Sequence, residues 1–355
     1  MPGRERSLRS LDRLDRICAA GGDSVALRLA VLDEFRRAVP FDAYAFLLTD
    51  PETWVGAAPL ADVPAGVLAE LPRLIRLKYV TAVNRWTALS PTPVALLQEA
   101  TAPNLARSLL WREMLGSHDV HDVASLVFTD RFGCWGFLDL WRLGPAAQFS
   151  PAEAEFLSRA APVVTTALRA SQAATFTEEV RAAPAVGPVV LLLSPDLAVQ
   201  TQTPQTQQYL RVLVPPSGGA PPIPASAYNV AAQLLAREAG VDANRASARV
   251  HLSDGLWVTL QAARIGDEVP LDQRDIAVTI EVTPPRTRAA VFARAHGLGA
   301  RERELLDHLV TGCDTRELAR RMLLSEHTVQ DHLKSIFAKT ATNTRGTLVS
   351  RAVGT

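Results

Sequence analysis

The last part of the chain decides the fold class. Residues 297–352 read GLGARERELLDHLVTGCDTRELARRMLLSEHTVQDHLKSIFAKTATNTRGTLVSRA. Apolar residues recur three and four positions apart in this stretch, which predicts amphipathic helices. Breaks at Thr311-Gly312 and Leu323-Leu324 separate three helices, and residues 345–352 give a fourth, so the pattern indicates an all-α domain of four short helices.

Capping residues predict where these helices begin. Asp314 and Glu317 have the spacing of a capping box, and Ser325 can cap a third helix that runs over 326–340. On that helix Val329 and Leu333 are expected to face inward, together with Ile336 and Phe337. The side chains that are expected to remain outward are Thr328, Gln330, Asp331, Lys334, Ser335 and Lys339. Two short helices joined by a tight turn, the second with a polar and basic outer face, are typical of a helix-turn-helix.

The amino-acid sequence of this segment resembles that of a known family. GARERELL, the spacing G-x-x-x-x-E-L-A and the stretch SEHTVQDHLKSIFAK are similar to the LuxR-type (GerE/FixJ-like) helix-turn-helix domain. The resemblance implies a bacterial-type transcriptional regulator that binds duplex DNA through the major groove. It also implies that Glu302 braces the scaffold. Gly299 departs from the usual Ser or Thr cap of the first helix, and Asp314-Thr315 replaces the usual Ser/Thr-Asn.

Family roles carry over to matching positions of this sequence. Gln330, Asp331 and Lys334 would face the bases, where side chains can read the edges of base pairs. A carboxylate at Asp331 is repelled by phosphates but can accept a hydrogen bond from cytosine N4. The residues that would contact or approach phosphates are Arg316, Ser325, Thr328, Lys339 and Arg345.

The charge is neutral in total but divided along the chain. The 355 residues include 37 basic and 37 acidic ones. Hydrophobic residues make up 48% of the chain, as in a globular protein. Residues 291–355 hold ten basic and seven acidic side chains, and two of the three lysines, Lys334 and Lys339, lie there. Zero net charge therefore excludes a generally polybasic protein but not a local basic face.

The first half of the chain predicts an α+β domain. Helix signals follow Asp23, and runs at 43–49, 123–129 and 134–141 indicate strands. Ser150 and Glu153 form a second capping box that opens a long helix. The segment GCWGFLDLWR (133–142) followed by that helix resembles the closing part of a GAF domain, and we expect a GAF-like sensor domain over 8–172.

A second α+β region and a linker are expected next. Residues 173–187 resemble a linker, and strand patterns at 189–193, 248–262 and 276–282 resemble a degenerate PAS domain over 187–284. This region contains a polar insert at 200–208 and a Pro/Gly-rich loop at 214–224, and Pro284-Pro285 indicates a second linker. The predicted fold class is therefore multidomain, with GAF-like and PAS-like α+β domains and an all-α helix-turn-helix domain over 291–355.

Three further features admit two interpretations each. The apolar stripe over 7–19 predicts a helix that either packs on its own domain or forms a dimer. Residues 117–122 (SHDVHD) include His and Asp, which can bind a metal ion. No further ligands follow at a recognisable spacing, so a polar loop is favoured over a metal site. Cys134 beside Trp135 is expected to be a buried small hydrophobe rather than a redox sensor.

Tryptophans are concentrated in the first domain. Core packing explains most of them, and the alternative is an apolar ligand pocket. The four residues that would line this pocket are Trp54, Trp86, Trp111 and Trp135. No cofactor is predicted, and the effector that such a pocket would bind is an unidentified small molecule.

The leading hypothesis is a DNA-binding transcriptional regulator that acts as a homodimer under sensory control. Phosphate-loop, GxSxG and HExxH patterns are absent, which argues against an enzyme. Three scattered cysteines and no long apolar run predict a cytoplasmic protein without a membrane partner. The alternative is a small-molecule-binding or protein-interaction module whose helix-turn-helix serves assembly.

Overall fold

The computed structural model describes residues 2–89, 92–144, 148–177, 189–213, 224–252 and 255–354. It contains two compact units. The first comprises Met1–Leu168, Val186–Val250 and Thr259–Glu281, and the second comprises Arg169–Ala185, His251–Val258 and Val282–Thr355. The Pro/Gly-rich loop up to residue 223, most of the linker expected at 173–187 and the hairpin turn at 253–254 lie outside the described residues.

The first α+β region carries a five-stranded antiparallel sheet with the strand order β2-β1-β5-β4-β3. Its strands are β1 (Ala43–Thr49), β2 (Gly56–Asp62), β3 (Val94–Leu96), β4 (Val120–Asp130) and β5 (Gly133–Leu143). Its helices are α1 (Pro2–Ala20), α2 (Ser24–Ala38), α3 (Ala65–Ala69), α4 (Leu71–Val80), α5 (Leu97–Thr101), α6 (Leu109–Glu113) and α7 (Pro151–Ala174).

A second five-stranded sheet has the order β7-β6-β10-β9-β8, so its strands follow the chain in the same pattern as those of the first sheet. β6 pairs antiparallel with both β7 and β10. The strands are β6 (Val189–Leu193), β7 (Val199–Gln202), β8 (Ser247–His251), β9 (Trp257–Arg264) and β10 (Ile276–Val282). The helices of this region are α8 (Thr206–Leu213) and α9 (Ala225–Glu238).

The C-terminal part of the second unit is helical. Its elements are α10 (Pro285–Ala295), α11 (Ala300–Val310), α12 (Thr315–Met322), α13 (Glu326–Thr340) and α14 (Arg345–Val353). The predicted fold class is confirmed, because two α+β regions with five-stranded sheets precede an all-α domain. None of the described helices combines the length and apolar composition needed to cross a membrane.

Local interactions explain several elements that the sequence predicts. Asp23 caps α2 by accepting from the backbone N–H groups of Val25 and Ala26. In the second capping box, the carboxylate of Glu153 accepts from the backbone of Ser150 at 2.8 Å, and the Ser150 hydroxyl accepts in return. These reciprocal bonds satisfy N–H groups that a helix start leaves without intrahelical partners.

Three strands were not expected. β2 (GAAPLAD) lacks β-branched and aromatic residues and contains Pro59, which is tolerated because β2 lies at the edge of the sheet. β3 has only three residues. β7 lies at the start of the polar insert at 200–208, and the end of this insert belongs to α8.

Two further expectations are corrected. Pro284 and Pro285 do not form a linker: Pro284 is the N-cap of α10 and Pro285 its first residue, a position where proline loses no intrahelical hydrogen bond. The polar loop expected at 117–122 ends earlier, because β4 already begins at Val120. Asp122 is buried there and accepts from the backbone N–H groups of Gln98, Val123 and Phe149.

The stripe over 7–19 lies on α1, which packs against α2. Leu14 and Ser10 are buried, and the Arg13 guanidinium lies 2.9 Å from the carboxylate of Glu34 on α2. Leu8 remains exposed. Leu11 and Ile17 are half-buried, so packing on its own domain accounts for part of the stripe, and the dimer helix over 7–19 stays a prediction.

An ion pair connects the two α+β regions within the first unit. Asp50 follows β1, is fully buried, and lies 2.6 Å from Nε of Arg249 on β8. Burial by itself would raise the pKa of Asp50, but hydrogen bonds and charge from Arg249 hold that pKa below its usual value. The pair is satisfied by further backbone donors, as a buried charge pair requires.

Candidate nucleic-acid interface

The turn between α12 and α13 is fixed by local hydrogen bonds. α12 ends at Met322, and Leu323 adopts the left-handed conformation (φ 56°) with 91% of its surface exposed. The N–H of Leu324 donates to the carbonyl of Ala319 at 2.9 Å. Ser325 caps α13, because its hydroxyl accepts from the N–H of Thr328 at 3.1 Å. Both predicted caps, Asp314 of α12 and Ser325 of α13, are confirmed.

The inner face of α13 is apolar and its outer face is polar. Val329, Leu333 and Ile336 are buried, whereas Phe337, which was expected inward, is only half-buried. They belong to a helical core that also contains Leu305, Leu306, Leu318 and Leu348. Because these contacts fix the rotation of the helix, the side chains on its opposite face project to solvent.

The three predicted base-contacting residues lie on this exposed face. Gln330, Asp331 and Lys334 are all exposed, and the ammonium of Lys334 lies 3.3 Å from the carboxylate of Asp331. The Lys334 side chain is 74% exposed, so the pair is open to solvent and weak. Lys334 can therefore exchange this carboxylate for an acceptor on another molecule.

Four of the predicted phosphate-contacting residues lie around the starts of α12 and α13. The hydroxyls of Ser325 and Thr328 are 2.8 Å apart at the N-terminus of α13. Arg316 is exposed, with Nε 3.8 Å from Glu326. Arg345 begins α14 and donates from Nη2 to the hydroxyl of Thr315 at 2.7 Å. A helix N-terminus flanked by guanidinium groups attracts anions.

Lys339, the fifth predicted phosphate contact, is oriented differently. Its ammonium lies 2.7 Å from the carboxylate of Glu302 on α11, which also accepts from the Ser335 hydroxyl and the backbone of Gly299. Burial would raise the pKa of Glu302, but the hydrogen bonds from Lys339, Ser335 and Gly299 lower it. The brace predicted at Glu302 is confirmed. Lys339 does not point freely outward, and its contact with phosphate stays a proposal.

Two exposed side chains of this surface were missed in the sequence. Arg320 follows Arg316 by one turn of α12 and is 78% exposed. His327 lies in the first turn of α13, is 85% exposed, and has Nε2 3.6 Å from the carboxylate of Asp331. The sequence signal for both is helical spacing, because Arg320 follows Arg316 by four residues and His327 precedes Asp331 by four.

Three of the four tryptophans predicted as a ligand pocket have side-chain partners within the described part of the protein. Trp86 stacks on Phe137 with ring centroids 4.9 Å apart, and its N–H donates to Asp139. The Trp135 N–H donates to Asp130 and that of Trp111 to the carbonyl of Val120, whereas Trp54 is half-buried and has φ 59°. These contacts agree with core packing, and the pocket stays a prediction.

The remaining candidates have structural roles. Cys134 is buried, and burial raises the pKa of its thiol to about 12, which disfavours the reactive thiolate. His118 lies 3.2 Å from Glu70 and His121 3.5 Å from Asp119. Within the described residues, no group of His, Cys, Asp and Glu side chains is placed to hold a metal ion.

The geometry of α12, its turn and α13 defines the class of this domain as a helix-turn-helix. Residues 296–352 match the family model described as bacterial regulatory proteins, luxR family, so this segment is a LuxR-family (GerE) helix-turn-helix domain. The description of the matched family is one of regulatory proteins. The comparison with curated proteins found no match.

Solved structures are similar only at low scores. SdiA of Escherichia coli is 12% identical, with 98% of this chain and 96% of that chain covered and a TM-score of 0.36. The chromophore-binding domain of the bacteriophytochrome RpBphP3 from R. palustris is 17% identical, with 47% of this chain covered and a TM-score of 0.32. The chain spans 62% of the length of that domain. TM-scores this low carry no argument about function.

Proposed function

We propose that this protein is a transcriptional regulator that binds specific duplex DNA by placing α13 in the major groove. The observation that carries the proposal is the division of α13 into a buried apolar face and an exposed face with Gln330, Asp331 and Lys334. An α-helix fits the major groove, where each base pair presents a distinct pattern of donors and acceptors. The LuxR-family match of residues 296–352 supports this placement.

The phosphate-contacting set surrounds this reading face. Arg316, Arg320 and Arg345 supply guanidinium groups, and Ser325 and Thr328 stand at the N-terminus of α13. Such contacts hold the register of the protein on the duplex without reading sequence. Lys339 would contribute only by exchanging its Glu302 partner for a phosphate.

Two parts of the proposal concern the rest of the chain. The α+β regions, over 8–172 and 187–284, would form a sensory part that binds a small molecule and shifts the balance between DNA-competent and incompetent arrangements. The protein would act as a homodimer through α14 or α1, because one such domain buries little DNA surface and half-sites usually pair.

Duplex binding by the full-length protein as a function of salt tests the proposal. Fluorescence anisotropy with a pool of random-sequence duplexes should give a Kd that rises steeply between about 50 and 200 mM salt, as counterion release requires. Arg301→Ala is the matched control, since Arg301 is an exposed α11 cation paired with Glu304. It should bind like the wild type, whereas Arg316→Ala should bind more weakly with a shallower salt slope.

Absence of duplex binding at about 50 mM salt, where phosphate contacts are strongest, would contradict the proposal. It would favour the alternative in which the helix-turn-helix serves assembly. Sedimentation of the same full-length protein tests the dimer separately, and native mass spectrometry tests for a retained small molecule.

A further inference from the structure

Three side chains form a row along the outer face of α13. His327, Asp331 and Lys334 follow one another at helical spacing, with the carboxylate of Asp331 in the middle. The carboxylate lies 3.6 Å from Nε2 of His327 and 3.3 Å from the ammonium of Lys334. All three are exposed, so the row lies on the surface that the proposed function directs at DNA.

The charged groups around this row are paired among themselves. On the same helix Glu326 lies 3.8 Å from Arg316 of α12. Arg320 and Arg321 of α12 lie within ion-pair distance of Glu317. On α11, the element packed at the other end of α13, Glu302 is bound by Lys339. Within the described part of the domain, Asp331 is therefore the carboxylate within ion-pair distance of His327.

The shared carboxylate creates a conflict when Lys334 contacts DNA. Asp331 is then left beside a phosphate backbone that repels it, and its cationic partner has moved away. A neutral imidazole at His327 does not compensate this charge. An imidazolium does, because it stays beside Asp331 and adds one positive charge to the surface that faces the duplex.

We propose that His327 is a further DNA-recognition residue, whose protonation holds Asp331 while Lys334 turns to the DNA. This inference rests on the proposed function of α13. Histidine changes its charge between about pH 5 and 8, and the charged form is the one that favours the complex. We therefore expect duplex affinity to increase at acidic pH, where histidine side chains are charged.

The experiment measures the Kd of the full-length protein for duplex DNA from about pH 5.5 to pH 8 at constant ionic strength. We expect binding to be about threefold tighter or more at the acidic end, and its salt dependence to be steeper, because the surface that faces the duplex carries more positive charge. Circular dichroism at each pH verifies that the protein remains folded.

Variants test whether the pH dependence of duplex binding comes from the row of His327, Asp331 and Lys334. His327→Gln should bind at acidic pH no better than at pH 8, and His327→Lys should bind equally tightly at every pH. Asp331→Asn should show a smaller pH dependence than the wild type, because no carboxylate remains to be held. His332→Gln is the matched control on the same helix and should keep the full pH dependence.

Equal pH dependence in His327→Gln and the wild type would overturn the proposal. So would a wild-type Kd that stays constant with pH while binding remains salt-dependent, a result that leaves the proposed function intact. No duplex binding at any pH at about 50 mM salt would overturn both. The two failures are therefore distinguishable.

Discussion

The ammonium group of Lys339 lies 2.7 Å from a carboxylate oxygen of Glu302, and this ion pair joins the last turn of α13 to the first turn of α11. The same carboxylate accepts from Ser335, one turn earlier on α13. Glu302 therefore fixes the orientation of the helix that carries the proposed reading face, and its removal should affect stability before it affects DNA chemistry.

We expect Glu302→Gln to lower the free energy of unfolding of the helix-turn-helix transition by about 2 to 3 kcal/mol. The substitution weakens charge-assisted hydrogen bonds from Lys339, Ser335 and Gly299 at a buried site. Thermal or urea unfolding of the full chain measures the change. Glu304→Gln is the matched control, because Glu304 pairs only at the surface with Arg301, and it should cost less than about 1 kcal/mol. Equal losses in the two variants would contradict the bracing role.

The stability difference between the wild type and Glu302→Gln should depend on pH. The pKa of Glu302 is lowered in the folded state, so its stabilisation is fully present above the unfolded pKa of a glutamate, about 4.3. It is lost as the pH falls through the lowered pKa of the folded state. Unfolding of both proteins from neutral pH to about pH 3 should show the two curves converging. A constant difference over this range would show that the carboxylate charge is not the source.

Much of the helix-turn-helix followed from the sequence because its signals are local. Asp314 and Ser325 cap helices through bonds that span three residues, and a sequence displays such spacing directly. The partner of Lys339 was not foreseen, since Glu302 lies 37 residues away and only the packing of α11 on α13 brings them together. β2 was missed for another reason: its residues have weak strand propensity, and pairing with β1 overrides it.

Ala341→Gly should stabilise the protein by about 0.5 to 1 kcal/mol. Ala341 ends α13 in the left-handed conformation (φ 50°), which costs an alanine about 1 to 2 kcal/mol and a glycine almost nothing, while glycine adds some entropy to the unfolded chain. Ala338→Gly, at an exposed position inside the same helix, is the control and should destabilise by about 1 kcal/mol. Unfolding midpoints of the two variants should move in opposite directions, and a shift of both to lower stability would refute the account of this cap.

Arg249→Met should lower the free energy of unfolding of the first unit by about 3 to 5 kcal/mol. It would leave the fully buried carboxylate of Asp50 without its cation, and an unpaired buried charge is costly. Arg73→Met provides the comparison, since Arg73 and Glu70 are a solvent-exposed pair whose loss should have little effect on stability. Urea unfolding resolves the two, and similar small losses in both variants would argue against the buried pair as a connection between the α+β regions.

The central claim is that the exposed face of α13 reads base pairs, and selection of bound sequences from a random duplex pool tests it most directly. The wild-type protein should enrich a defined sequence. Lys334→Ala should lose about 1 to 3 kcal/mol of binding free energy on that sequence, and its base preference should relax at one position or at the symmetry-related position. Arg301→Ala should select the same sequence as the wild type. Enrichment of the same sequence with unchanged preference by Lys334→Ala, or no enrichment by the wild type, would contradict the account.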